Sequence, residues 1–252
     1  MITKFDLYSD QLHRSVMIHM YLPDDYISSQ NRYPVLYMFD GHNLFFDEDA
    51  TYGRSWRLLN HLYQLPQEIM IVGLECTHEG NERLSEYAPY PFYDPEYDGA
   101  FPGKGRQTMD FIVQTLKPYI DTHFPTRPER SKTWIGGSSC GGLMAIYALY
   151  AYSHVFSKAA ALSPYVLPSQ SSLLYHSARA RVKLPGSLYL SWGAREGNTG
   201  HEFIQETRVL TTLANILLKK GIKLQFDVQP EGEHCEAQWE ALADIFLRFL
   251  IK

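Results

Sequence analysis

The chain has 252 residues, 45% apolar and 20% charged, proportions of a soluble globular protein that exclude disordered, collagen-like and fibrous classes, and its length suits one α/β domain over residues 1–252. Its 23 Lys and Arg against 28 Asp and Glu give a formal charge of −5. There is no long basic run to track a phosphate backbone, so no nucleic-acid partner is expected.

In chain order, residues 1–8 (MITKFDLY) lack the apolar core of a signal peptide. Nowhere do about 18 apolar residues run together, so the chain is expected to be cytoplasmic with no membrane partner. Ser15–Tyr21 alternates as a strand and stops short of Pro23, while Pro34–Phe39 and Glu68–Val72 are apolar runs typical of buried strands. Thr77–Gly105, rich in Tyr, Pro and Gly, is expected to be irregular. Over Gln107–Ile120, Met109, Ile112, Val113, Leu116 and Ile120 share one helical face, with Pro118 placed to kink the last turn.

The strand Lys132–Ile135 leads into a Gly/Ser turn and the apolar helical run LMAIYALYA, followed by the strand Lys158–Leu162. Ser163–Pro185 is a second expected irregular stretch, and Ser187–Ser191 and Lys223–Val228 read as strands. Between those two strands, His201–Lys220 is helical through Val209, Leu210, Leu213, Ile216 and Leu217 and ends on Lys219, Lys220 and Gly221. An apolar stripe of Trp239, Leu242, Ile245, Phe246, Phe249 and Leu250 makes the final segment one helix docked on the sheet. Strands alternating with helices in this way predict an α/β fold on a mostly parallel sheet.

The strongest chemical signal is Gly137-Ser138-Ser139-Cys140-Gly141, a G-x-S-x-G pentapeptide between a strand and a buried helix. A nucleophile on so tight a turn needs small residues two before and two after it, and Gly137 and Gly141 meet that need. The helix behind it aims its first amides at the charge that forms on a substrate oxygen. Ser139 is therefore the expected nucleophile. Centring the motif on Cys140 would put Ser138 where room is tightest, so Cys140 is expected to be a bystander. The three cysteines, Cys76, Cys140 and Cys235, are sparse, odd in number and without metal-ligand spacing among themselves. They are read as reduced thiols, with no metal and no cofactor expected.

A serine hydroxyl needs a histidine to take its proton and a carboxylate to orient that histidine, and in this arrangement they follow in the order Ser, acid, His. His234 lies between the last strand and the last helix, where a loop reaches the carboxyl edge of the sheet. Glu196 is the one carboxylate between the strand Ser187–Ser191 and the helix beginning near His201, with Asp227 and Glu233 as fallback acids. Oxyanion donors are expected from the backbone amides of Cys140 and His42, the latter just after Gly41 in the loop following the strand Pro34–Phe39. The His42 imidazole has two open readings, substrate contact or solvent exposure.

Taken together, these residues resemble the Putative esterase family of α/β-hydrolases, which includes feruloyl and acetyl esterases, trilactone siderophore esterases and S-formylglutathione hydrolases. The likeness is carried by Tyr33-Pro34-Val35-Leu36-Tyr37 leading into Asp40-Gly41-His42-Asn43-Leu44-Phe45, by Asn81-Glu82-Arg83 through Glu86-Tyr87-Ala88-Pro89, and by Gly103-Lys104-Gly105. It continues through Leu116 to Asp121, the elbow Gly137 to Gly142, Gly193 with Glu196, and His234 with Trp239. The resemblance implies an α/β-hydrolase fold with a small cap built from loops, a Ser139, Glu196 and His234 triad, and a small-molecule ester substrate. The family's mycolyltransferases leave acyl transfer as an alternative to hydrolysis, and a silent fold used for binding is a further one. The two irregular stretches are expected to overhang the carboxyl edge of the sheet. Tyr87, Tyr90, Phe92, Tyr93, Tyr97 and Phe101, with Gly41 and Trp239, are then the pocket candidates.

Overall fold

Strands with both faces covered read as continuous apolar runs, and the pattern at the centre of the chain follows from that. In the computed structural model, which describes residues 1–197 and 199–252, the strands are β1 (Ile2–Ser9), β2 (Arg14–Tyr21), β3 (Val35–Phe39), β4 (Met70–Leu74), β5 (Phe92–Asp94), β6 (Gly99–Phe101), β7 (Thr133–Ser138), β8 (Lys158–Leu162), β9 (Gly186–Gly193) and β10 (Ile222–Gln229). Eight of them form one sheet in the order β1-β2-β4-β3-β7-β8-β9-β10. β1, β2 and β4 pair antiparallel, and every pair from β4 through β10 is parallel. Residue Val35 of β3 lies beside Met70 and Thr133, Leu162 beside Ser138 and Ser191, and Gln229 beside Gly193, so the carboxyl ends of six parallel strands line one edge.

Alternate residues of β3 enter two apolar layers: Val35, Tyr37 and Phe39 face one, Leu36 and Met38 the other. The helices that close these layers are α1 (Leu59–Leu62), α2 (Glu82–Glu86), α3 (Gly105–Phe111), α4 (Lys117–His123), α5 (Cys140–Ala151), α6 (Gln170–Arg179), α7 (Gly200–Lys219), α8 (Glu236–Ala241) and α9 (Ala243–Ile251). α5 buries every residue except Tyr147 and Ala151, which explains a sequence that is apolar all round rather than on one stripe. Among the described residues no helix is long and apolar enough to cross a membrane.

The fold class is the expected one, and five details differ. β1 is an edge strand whose mixed side chains half face solvent, so its apolar signal is weak. Thr77–Gly105 holds α2 and the antiparallel hairpin β5–β6. Ser163–Pro185 holds α6, whose buried face is no more than Leu173 and Ser177 in a Ser-rich sequence. The segment Gln107–Ile120 is interrupted by a π turn at Ile112–Leu116, one turn before Pro118 rather than at it. Pro118 has no N–H for the Gln114 carbonyl, and the wider turn accommodates that loss. The final segment is two helices broken at Leu242. Since α5 is the layer on which the central strands rest, Leu149→Ala, at a fully buried position, should cost about 2–5 kcal/mol. Urea denaturation of both proteins checks it.

Candidate active site

β7 runs straight into α5 through one residue, Ser139, whose φ of 53° and ψ of −124° lie outside the helical and extended regions. A Cβ on Gly137 would approach the Gly141 backbone to 2.8 Å, so the turn closes only with glycine there. The backbone holds the strained residue from both sides: the Ser139 N–H donates to the Leu162 carbonyl at 3.0 Å, and the Ser139 carbonyl accepts from Leu143 and Tyr165 at 3.0 Å each. Cys140 is buried, and burial pushes its thiol above the usual value, so it stays protonated at neutral pH. A neutral buried thiol is a poor nucleophile, whereas Ser139 borders an open cavity.

The loops after β9 and β10 meet at a second close approach, where a Cβ on Gly193 would fall 2.3 Å from the Gly232 carbonyl oxygen. Ala194 and Arg195 donate to Gln229 and Gly232, both at 2.9 Å. This juxtaposition sets Glu196 Oε2 3.1 Å from His234 Nδ1, with the carboxylate side chain 5% exposed and the imidazole 35%. The other carboxylate oxygen accepts from the Gly193 amide and from Ser163 Oγ. Ser163 in turn accepts from the Trp239 indole N–H at 2.9 Å. Occupying Nδ1 leaves His234 Nε2 for a proton. No hydrogen bond joins Ser139 to His234, although both border the same cavity.

Opposite the elbow, Asp40 follows β3 with φ 57° and ψ 53° and begins the short turn Gly41–Asn43. Arg83 of α2 donates from Nε and Nη2 to its two carboxylate oxygens at 2.8 and 2.7 Å. α2 is itself anchored, since Glu86 accepts two bonds of 2.7 Å from Arg14 on β2 and the Thr108 hydroxyl donates to the Glu86 carbonyl at 2.7 Å. Burial opposes ionisation of Asp40, but the adjacent guanidinium outweighs it and holds the carboxyl below its usual value. The amides of His42 and Cys140 engage no backbone acceptor, the second because it opens a helix.

Ser139, His234, Trp239, His42, Asp40 and Arg83 border one cavity of about 620 Å³. Of the aromatic candidates, Tyr97 lines it with Trp239, and Tyr52 joins them. The rest are elsewhere. Tyr87 is buried behind Asp40, its hydroxyl bonded to the Leu74 carbonyl, and Tyr90 stacks on His176 and bonds Tyr150. Phe92, Tyr93 and Phe101 border a separate shallow hollow on the hairpin. Gly41 opens the short turn after Asp40, and Asp227 of β10 is tied to Tyr189 of β9 and to Gln229. Glu233 is exposed. Sequence reading did not single out Arg83 or Ser163, although a polar residue just past the carboxyl end of β8 was a usable signal for Ser163.

The profile of the Putative esterase family matches residues 9–249. The Bacillus subtilis (strain 168) protein YbbA is 27% identical over 190 residues, 71% of this chain and 68% of that one. The structure of an IroE-like serine hydrolase from Shewanella oneidensis matches with a TM-score of 0.76 at 22% identity, over 97% of this chain and 78% of that one. A ferulic acid esterase matches with a TM-score of 0.71 at 17% identity, over 99% and 97%. At these identities the two structures show a shared fold.

The Asp40 side chain is 6% exposed and that of Arg83 30%, so Arg83→Met should cost stability at the low end of the ~3–5 kcal/mol typical of an orphaned buried charge. The sign with pH follows from the lowered Asp40 value. The pair stabilises fully above the ordinary carboxylate range and is lost as pH falls through the folded-state value. Urea denaturation should therefore show the gap between wild type and Arg83→Met narrowing in acid.

Proposed function

Because the chain belongs to the Putative esterase family and is on that ground a carboxylic ester hydrolase, we propose that it works through a Ser139, His234 and Glu196 triad and an acyl-enzyme. The observation that carries this reading is the Glu196 to His234 contact beside the strained Ser139 in one cavity. His234 Nε2 takes the Ser139 proton as Oγ bonds to the ester carbonyl carbon, and the resulting oxyanion is held by the amides of His42 and Cys140. The same imidazole, now protonated, gives its proton to the leaving alcohol as the C–O bond breaks. Water, deprotonated by His234, then attacks the acyl-enzyme and releases the acid and Ser139. Glu196 keeps the ring in the required tautomer, and Ser163 and the Gly193 amide fix Glu196.

The substrate this cavity favours is an ester carrying a planar aromatic group. Tyr52, Tyr97 and Trp239 are among the residues that line it, and a neighbour in fold is a ferulic acid esterase. Stacking adds binding energy that an acetyl group cannot use. A matched series of acetyl, butyryl and hydroxycinnamoyl esters should show kcat/KM highest for the hydroxycinnamoyl ester. A preference for acetyl would remove the aromatic assignment and leave the triad untouched.

Ser139→Ala and His234→Ala should each lower kcat on the order of 10³-fold or more, since either loss disables the unit. Glu196→Gln should fold normally, by circular dichroism, yet lose activity because an amide cannot stabilise the imidazolium. If Asp227→Asn were the damaging change instead, the acid assignment would fall.

A further inference from the structure

β3 and β4 lie side by side and end in register, Phe39 against Leu74. The loops leaving them therefore meet, and they bring together three metal-ligating side chains: the donor atoms of His42, Cys76 and His78 all lie within 4.8 Å of one another. We propose that these three residues form a site for a borderline divalent cation, Zn²⁺ foremost, on the oxyanion side of the cavity.

The first support is an orphaned atom. His42 is 4% exposed, and its Nδ1 is buried without a hydrogen-bond partner. An unmet buried ring nitrogen is costly and uncommon, and a metal ion satisfies it. The ring's other nitrogen is engaged, since Nε2 lies 2.9 Å from Thr51 Oγ1. If Nε2 carries the proton, Nδ1 presents its lone pair, the tautomer a metal requires.

The second support is the outer ring of contacts. His78 Nε2 lies 2.5 Å from Glu75 Oε1, and the other Glu75 oxygen lies 2.8 Å from Nε2 of the buried His19. Carboxylates backing ligand histidines orient the ring and make it a stronger donor. One thiolate and two imidazoles suit Zn²⁺ better than Mg²⁺ or Ca²⁺, which prefer oxygen. A tetrahedral ion with bonds of ~2.0–2.3 Å spaces its ligands at about 3.5 Å. The cluster must therefore draw in by roughly an ångström, and His78, exposed on the surface, has the freedom to do so.

All three ligands border the cavity that holds Ser139. The fourth position of the ion opens on that cavity and offers a seat to an anionic oxygen or sulfur of a bound molecule. Binding converts the Cys76 thiol to a thiolate, its proton passing to the solvent, and no electron moves. The spacing of the cysteines among themselves carries no hint of this, because the other two ligands are histidines drawn from separate loops.

The claim concerns binding and stands apart from the esterase reading. It is tested by equilibrium dialysis of Zn²⁺ against a chelator of known affinity, with Co²⁺ absorption as a second readout. Wild type and Ser139→Ala should each bind one Zn²⁺ per chain, and Co²⁺ should give a thiolate charge-transfer band. Cys76→Ser and His78→Ala should bind at least tenfold more weakly, and Cys76→Ser should lose the band. Cys235→Ser, altering another thiol at the cavity, should behave as wild type. Absence of stoichiometric binding, equal binding by all variants, or loss in Cys235→Ser alone would overturn the proposal. Because His78 is exposed, His78→Ala keeps the test decisive even if Cys76→Ser folds poorly.

Discussion

Three neighbouring parallel strands each end in a non-glycine residue with positive φ: Asp40 after β3 at 57°, Ser139 after β7 at 53° and Ser163 after β8 at 45°. Such residues cost of order 1–3 kcal/mol apiece and persist only where their surroundings over-determine them. Here they do. Arg83 clamps Asp40, the Leu162 carbonyl and the Tyr165 amide hold Ser139, and the Ser163 N–H donates to the Ser191 carbonyl at 2.7 Å. The three turns redirect the chain sharply at the edge of the sheet, so that the loop after β3, the elbow and the Ser163 contact to Glu196 converge beside one cavity. The rest of the fold serves to keep this edge rigid.

That rigidity is shared between the two halves of the site. The Tyr165 amide bonds the elbow while its hydroxyl donates to Asp94 on the hairpin, so the hairpin is tied to the turn that carries Ser139. On the other side the Trp239 indole reaches Ser163, which reaches Glu196, which orients His234. Trp239 also packs edge-on to the His234 ring, with centroids 5.2 Å apart. One residue of α8 thus steadies both the imidazole and, through a serine, the carboxylate.

What the sequence made legible follows the range of the interactions. The elbow is local: five consecutive residues between a strand and a helix specify it, and Gly137 and Gly141 can be read without knowing anything else. The pairing of Glu196 with His234 was accessible because the first loop offers one carboxylate, the second one histidine, and chain order limits the choice. Arg83 was not singled out, because its role depends on α2 being carried across the molecule to Asp40, with Arg14 and Thr108 fixing α2 in place. The aromatic candidates show the same limit. Tyr87 and Tyr97 are alike in the sequence, yet one fills the core behind Asp40 and the other borders the cavity. α6 escaped notice for a different reason: its buried face is too small to write a helical period.

The central claim is that Ser139, and not the adjacent Cys140, forms the covalent bond to the acyl group. Peptide mapping by mass spectrometry after reaction with a fluorophosphonate tests it most directly. A single adduct on Ser139, formed slowly when His234 is replaced by Ala and still formed in Cys140→Ala, is the result predicted. An adduct on Cys140, or none on Ser139 in a folded protein, would contradict it.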